Sequence, residues 1–253
     1  MNLDGRVAVV TGGTRGLGRQ VAEALAERGA AVAAVGRSGA HFRADISDAG
    51  EVARLKEDVE RELGTPAILV NAAGTFGPVE PIRRSDPERW VRTVLVDAVG
   101  PFLTCRAFVE GMVEQGWGRI VNLTSAASLH PPGTLGSAYA TAKVALNQLT
   151  RHLAAELEGT GVTANVIHPG DVKTDMWADI RDQADGLGED GEALRQWVAW
   201  VDETGGDPPE KAVDLVLRIL DSDVNGRFLW IDEPLQPPIP SWGEDAELQP
   251  WRR

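Results

Sequence analysis

The sequence contains one tyrosine, Tyr139, and only four lysines (Lys56, Lys143, Lys173, Lys211) against 21 arginines. Lys143 follows Tyr139 by one helical turn, and Ser125 precedes it by 14 residues. Two residues four apart on a helix share a face, about 5–6 Å apart. A free phenol titrates near pH ~10, too high for efficient proton transfer at neutral pH. A neighbouring ammonium stabilises the phenolate and is expected to lower that value. Tyr139 is therefore the candidate general acid/base, with Lys143 tuning it. Ser125, at the end of an apolar run, can bond the same substrate oxygen.

A second group of residues could hold a phosphate-bearing ligand. Residues 11–18 read Thr11-Gly12-Gly13-Thr14-Arg15-Gly16-Leu17-Gly18 and separate an apolar run from a helical pattern. Glycines at 12, 16 and 18 allow a tight turn and close approach to a pyrophosphate, for which the following helix N-terminus supplies N–H groups. The next apolar run ends Val35-Gly36-Arg37-Ser38, with no carboxylate to bond a ribose 2′-hydroxyl. Arg37 suits a 2′-phosphate, and Arg15 could reach the same phosphate from the turn. NADP(H) is thus the expected cofactor, ahead of NAD(H).

The elements that must position these groups alternate along the chain. Apolar runs at 6–11, 31–35, 67–71, 119–125, 162–167 and 227–231 read as buried strands. Helical patterns fall at 16–29, 52–63, about 86–115, 137–158 and 210–220. Continuous apolar strands between helices imply a parallel sheet covered on both faces. Residues 183–208 are rich in Gly, Asp and Glu, poorly patterned, and read as a mobile insertion. The tail from Pro234 is rich in Pro and Trp and reads as extended.

Composition removes several classes. The 253 residues are 43% hydrophobic and 25% charged, which is globular, and length sets a prior of one large or two small domains. One cysteine, Cys105, excludes an intrachain disulfide, and His41, His130, His152 and His168 show no metal-ligand spacing. No apolar run is long enough for a membrane span, and the N-terminus does not read as a signal peptide, so a cytoplasmic protein is expected. Of the net charge of −13, −12 lies in residues 171–253. Such an acidic chain suits neither nucleic acid nor anionic lipid. The sequon Asn122-Leu123-Thr124 falls in an expected buried strand and is discounted.

Together these blocks resemble the short-chain dehydrogenase/reductase family in its short form of about 250 residues. The turn fits its TGxxxGxG spacing. Asp45-Ile46 resembles the pair that contacts adenine, Asn71-Ala72-Ala73-Gly74 the turn after the fourth strand, and Ser125, Tyr139 and Lys143 the catalytic set. Pro169-Gly170 through Thr174 resembles the segment over the nicotinamide, and residues 225–232 resemble the last strand. The resemblance implies one doubly wound Rossmann-type domain over 1–233, with a parallel seven-stranded sheet and helices on both faces. It implies a substrate-loop insertion at 175–208, followed by the tail at 234–253. Its cofactor set is Gly12, Thr14, Arg15, Gly16, Leu17, Gly18, Arg37, Ser38, Asp45, Ile46, Asn71, Ala72, Ala73, Gly74, Tyr139, Lys143, Pro169, Gly170, Val172 and Thr174. His130, Met176 and Trp177 are expected to face substrate, with Trp197 and Trp200 nearby.

Three departures stand out. Asp97 occupies the position where the family often has an Asn that supports a proton relay. Only residues 38–44 separate Arg37 from Asp45, so the adenosine pocket is either more open or closed by His41 and Arg43. The usual glycine-rich ending is replaced by the Pro/Trp tail. The expected activity is interconversion of a ketone and a secondary alcohol by a homodimer or homotetramer. The alternative is a non-catalytic dinucleotide-binding or scaffold protein on the same fold.

Overall fold

The computed structural model describes residues 2–129, 133–184 and 186–231. Seven strands form one sheet: β1 (Val7–Thr11), β2 (Ala31–Gly36), β3 (Phe42–Arg43), β4 (Ile68–Asn71), β5 (Gly118–Leu123), β6 (Val162–His168) and β7 (Phe228–Trp230). Their order is β3-β2-β1-β4-β5-β6-β7, and every neighbouring pair is parallel. Strands β1, β4, β5 and β6 are buried throughout, which explains their near-continuous apolar sequences.

Alternate strand residues feed two cores. Ala8 and Val10 of β1 pack toward helices α1 (Gly16–Ala26) and α8 (Pro209–Leu220). Val7 and Val9 pack toward α2 (Ala49–Glu62), α4 (Gly100–Glu114) and α5 (Ser137–Glu156). Helix α2 begins with Asp48, whose side chain accepts from Glu51 N, 2.8 Å away. The sheet order reverses between β1 and β4, so their C-terminal ends open a crevice at the topological switch point.

The long helix expected over 86–115 is interrupted. It runs as α3 (Pro87–Val94), a five-residue π turn (Leu95–Val99) and then α4. Pro101 has no N–H to continue the regular ladder. The packing there is close, since a Cβ on Gly100 would sit 2.7 Å from the end of the Ile46 side chain. Such π turns concentrate at functional sites.

The poorly patterned segment is also more ordered than expected. It extends from α6 (Asp175–Ala184) through a 3₁₀ turn (Gly188–Gly191) into α7 (Glu192–Thr204). Trp177, Ile180, Val198 and Val201 give α6 and α7 a small core of their own. The spread of carboxylates through 183–208 hid this helix because they occupy its outer face. The tail at 234–253, with Trp242, lies outside the described residues.

Candidate active site

The glycine turn is built as its sequence requires. Gly12 and Gly16 have φ of 67° and 54°, in the region that favours glycine. A Cβ on Gly12 would sit 2.8 Å from Ala73 backbone, and one on Gly18 would sit 2.4 Å from Gly12 O. Helix α1 then starts with no acidic residue in its first turn. Its leading N–H groups and positive dipole end therefore face the crevice without a competing carboxylate. These features fit a pyrophosphate.

One cleft of about 760 Å³ gathers almost all the expected residues. Its wall includes Gly12, Thr14, Arg15, Gly16, Leu17 and Gly18 of the turn; Arg37 and Ser38 after β2; and Asp45 and Ile46 after β3. It continues with Ala72, Ala73 and Gly74, then Ser125, Tyr139 and Lys143, then Pro169, Gly170, Val172 and Thr174, and finally Met176 and Trp177. Trp197 also lines it, whereas Trp200 is on the exposed outer side of α7. His130 lies outside the described residues.

Asn71 does not line the cleft but anchors it from behind. Its side-chain amide donates to Asn122 Oδ1 at 2.8 Å, and its oxygen accepts from Thr104 Oγ1 at 2.8 Å. Asn122 in turn donates to Thr150 Oγ1 at 2.8 Å. Asn122 is fully buried, in keeping with discounting the sequon. A satisfied buried polar network of this kind fixes the strand ends and the turn after β4 in one arrangement.

The catalytic candidates come together at the sheet's C-terminal edge. Ser125 follows β5 by two residues and caps a short 3₁₀ turn (Ala126–Ser128), its hydroxyl accepting from Ala127 N at 3.2 Å. Ser125 acts on the Tyr139 phenol in the direction that favours the phenolate. Lys143 is buried, with Nζ 5.2 Å from the Tyr139 ring centre and donating to Leu123 O at 3.0 Å. Asp97, in the π turn, is fully buried, with Oδ2 3.1 Å from Lys143 Nζ. Its other oxygen accepts from Thr75 N at 2.9 Å.

The electrostatics correct one expectation. Burial pushes the Tyr139 phenol above its ordinary value, and the pull of Lys143 and Ser125 does not reverse this. The negative charges of Asp97 and Asp171 push it the same way. Burial likewise drives the Asp97 carboxyl up against the pull of Lys143. For Lys143, burial works against the ammonium, but Asp97 and Tyr139 win and hold its pKa above the usual lysine value. The lysine alone therefore does not depress the phenol in this arrangement of groups.

Two clamp expectations also change. His41 bonds Glu62 at 2.6 Å, and neither His41 nor Arg43 lines the cleft. The residue that lies there instead is Arg92 of α3, whose guanidinium pairs with the Asp45 carboxylate and bonds Ser47 Oγ. Asp45 is held below the usual carboxylate range by its bonds to Ser47 and Arg92, which outweigh its burial. Arg15 forms a 3.2 Å pair with Asp175 at the start of α6. The sequence reading missed Arg92, Thr75, Phe76 and Asp171. Thr75 and Phe76 directly follow Gly74 and Asp171 directly follows Gly170, so motif position could have flagged these three, whereas nothing of the kind marks Arg92. His168 also lines the cleft, its Nδ1 accepting from Ala126 N at 3.3 Å and its ring edge-on to Trp230.

Fold and cleft define a dinucleotide-binding α/β oxidoreductase. Residues 6–185 match the family described as short chain dehydrogenase. The chain belongs to that family. A short-chain type dehydrogenase/reductase from Picea abies is 36% identical over 200 residues, covering 69% of this chain and 73% of the relative. The crystal structure of a gluconate 5-dehydrogenase from Burkholderia cenocepacia J2315, in complex with NADP and tartrate, superposes with a TM-score of 0.78 at 27% identity. That match covers 91% of this chain and 95% of the other. The structure of an NAD⁺-bound xylitol dehydrogenase gives a TM-score of 0.80 at 25% identity, over 91% and 99%. Relatives of this fold therefore include complexes with each nicotinamide dinucleotide.

Proposed function

We propose that the protein is an NADP(H)-dependent oxidoreductase that interconverts a ketone and a secondary alcohol, with Tyr139 as general acid/base. The observation that carries this reading is the convergence of Ser125, Tyr139 and Lys143 in the cleft that holds the glycine turn. A dinucleotide held by the glycine turn would supply or accept the hydride. Ser125 and Tyr139 hold the carbonyl oxygen from one side. In reduction the Tyr139 phenol gives its proton to that oxygen, and in oxidation the phenolate takes one from the alcohol. Lys143 favours the phenolate, and Asp97 keeps Lys143 charged.

Cofactor choice rests on Arg37 and Ser38 at the end of β2, where no carboxylate lines the cleft. Residues 1–233 act as one catalytic unit in this reading. We also place a homodimer or homotetramer contact on the outer side of α3, the π turn, α4 and α5, where Val91, Leu95, Phe102 and Val144 are exposed.

The test is NADPH oxidation across a ketone panel. Tyr139→Phe is expected to lower kcat by about 10²–10⁴-fold while leaving NADPH binding intact. Arg37→Ala is expected to weaken NADPH binding about tenfold or more and to leave NADH binding nearly unchanged. Tight NADPH binding with no turnover of any ketone would favour the non-catalytic alternative.

A further inference from the structure

Of the charged residues in α3, Arg92 is the one that lines the cleft, at the end formed by Asp45 and Ile46. Its side chain is 41% exposed, so a ligand can reach it, yet it is held in place. One terminal nitrogen pairs with Asp45 Oδ2, and the other donates to Ser47 Oγ at 2.5 Å. Ser47 Oγ donates in turn to Asp45 Oδ1 at 2.7 Å, and Ser47 N donates to the same oxygen at 3.1 Å. Arg92, Asp45 and Ser47 thus close a ring of hydrogen bonds. The ring is fixed to the first turn of α2, because Asp45 N donates to Glu51 Oε2 at 2.7 Å.

The ring changes what this end of the cleft offers to a ligand. Both Asp45 oxygens already accept, Oδ1 from Ser47 twice and Oδ2 from a guanidinium. A base amino group would have to compete with a charged donor for Asp45 Oδ2. A guanidinium carries donors only, and bonds made in its plane leave the flat face to stack on an aromatic ring. Ile46, next to Asp45, and Val96, four residues after Arg92, add apolar surface to the same cleft.

We propose that Arg92 receives the purine base of the cofactor on the flat face of its guanidinium, and that Asp45 is a positioning residue that holds Arg92 instead of reading the base amino group. The proposal rests on the dinucleotide reading above. It is independent of the choice between NADP(H) and NAD(H), because the base is common to both.

The experiment measures binding of NADP⁺, NAD⁺ and deamino-NADP⁺, in which an oxygen replaces the 6-amino group, by isothermal titration calorimetry. The parent protein is expected to bind deamino-NADP⁺ within about threefold of NADP⁺, whereas a carboxylate reading the amino group would make the difference about tenfold or more. Arg92→Met is expected to weaken NADP⁺ and NAD⁺ alike, by about tenfold. Arg92→Lys keeps the charge without the planar fork and should lose nearly as much. Asp45→Asn should weaken NADP⁺ in the parent background and add less than about threefold in the Arg92→Met background, as expected of a residue that acts through Arg92. Melting curves of the unliganded variants check their folding, and the parent ratio needs no variant at all. Tenfold weaker binding of deamino-NADP⁺ by the parent, full affinity in Arg92→Lys, a loss confined to NADP⁺ in Arg92→Met, or an undiminished Asp45→Asn effect without Arg92 would each overturn the proposal. Absence of ketone turnover beside the expected binding ratios would overturn only the oxidoreductase reading, since no ratio depends on a reaction.

Discussion

Asp97 gives the acid/base pair a different electrical environment from the one its spacing suggests. A lysine one turn from a tyrosine should lower the phenol pKa, and Lys143 does pull in that direction. Burial opposes it most strongly, and the Asp97 carboxylate adds to the opposition. Replacing Asp97 by Asn removes one negative charge beside Lys143 and Tyr139. The Tyr139 pKa is then expected to fall. Alcohol oxidation needs the phenolate, so its rate rises with pH through that pKa, and the rise should move to lower pH in Asp97→Asn. Ketone reduction needs the phenol, so its loss with rising pH should also begin earlier. Lys143 faces Asp97, Tyr139 and Leu123 O, and it loses its supporting charge in the variant; its deprotonation at high pH would bend the profile there. Profiles of kcat/KM against pH in both directions make the check. Superimposable curves for parent and variant would detach Asp97 from proton transfer.

The elements differ in how far the sequence exposes them. Strands β1, β4, β5 and β6 are buried on both faces, so their apolar runs are unbroken and easily read. Strand β3 has two residues and carries no periodicity to detect. The π turn around Asp97 leaves no periodic signal either; of the residues after it, Gly100 sits close to Ile46 and Pro101 lacks an N–H. Arg92 reaches Asp45 across 47 residues of chain, and no local spacing announces such a pair. The glycine turn was the most legible part, and its glycines serve different ends. An alanine at Gly16 would meet nothing within 4 Å, so Gly16→Ala costs only left-handed backbone strain, about 1–2 kcal/mol. At Gly18 the new Cβ would overlap Gly12 O, and the turn must shift away from α1. Gly18→Ala is expected to cost about 1–3 kcal/mol and also to weaken NADPH binding more than tenfold. Denaturant titration and fluorescence titration of NADPH measure the two effects. Equal losses at both positions would contradict the division of roles.

For the molecule as a whole, the uneven charge and the exposed apolar residues lie in different places. The acidic excess belongs to residues 171–253, which include α6, α7 and α8. The balanced part of the chain contributes α3, the π turn, α4 and α5, and their outer side carries Val91, Leu95, Phe102 and Val144, with Phe102 45% and Val144 51% exposed. Self-association through the acidic helices would bring like charges together and cost free energy at low salt. Association through α3–α5 would bury the apolar side chains and keep the acidic helices apart, which fits a symmetric, self-complementary contact. Phe102 is the largest of these side chains and makes no part of either sheet core. Phe102→Glu is therefore expected to shift the assembly toward smaller species without lowering NADPH affinity per subunit. Light scattering across a concentration series, with NADPH titration of the same samples, provides the measurement. A parent protein that is monomeric throughout would dispose of the contact, and an unaltered assembly in Phe102→Glu would place it on another face.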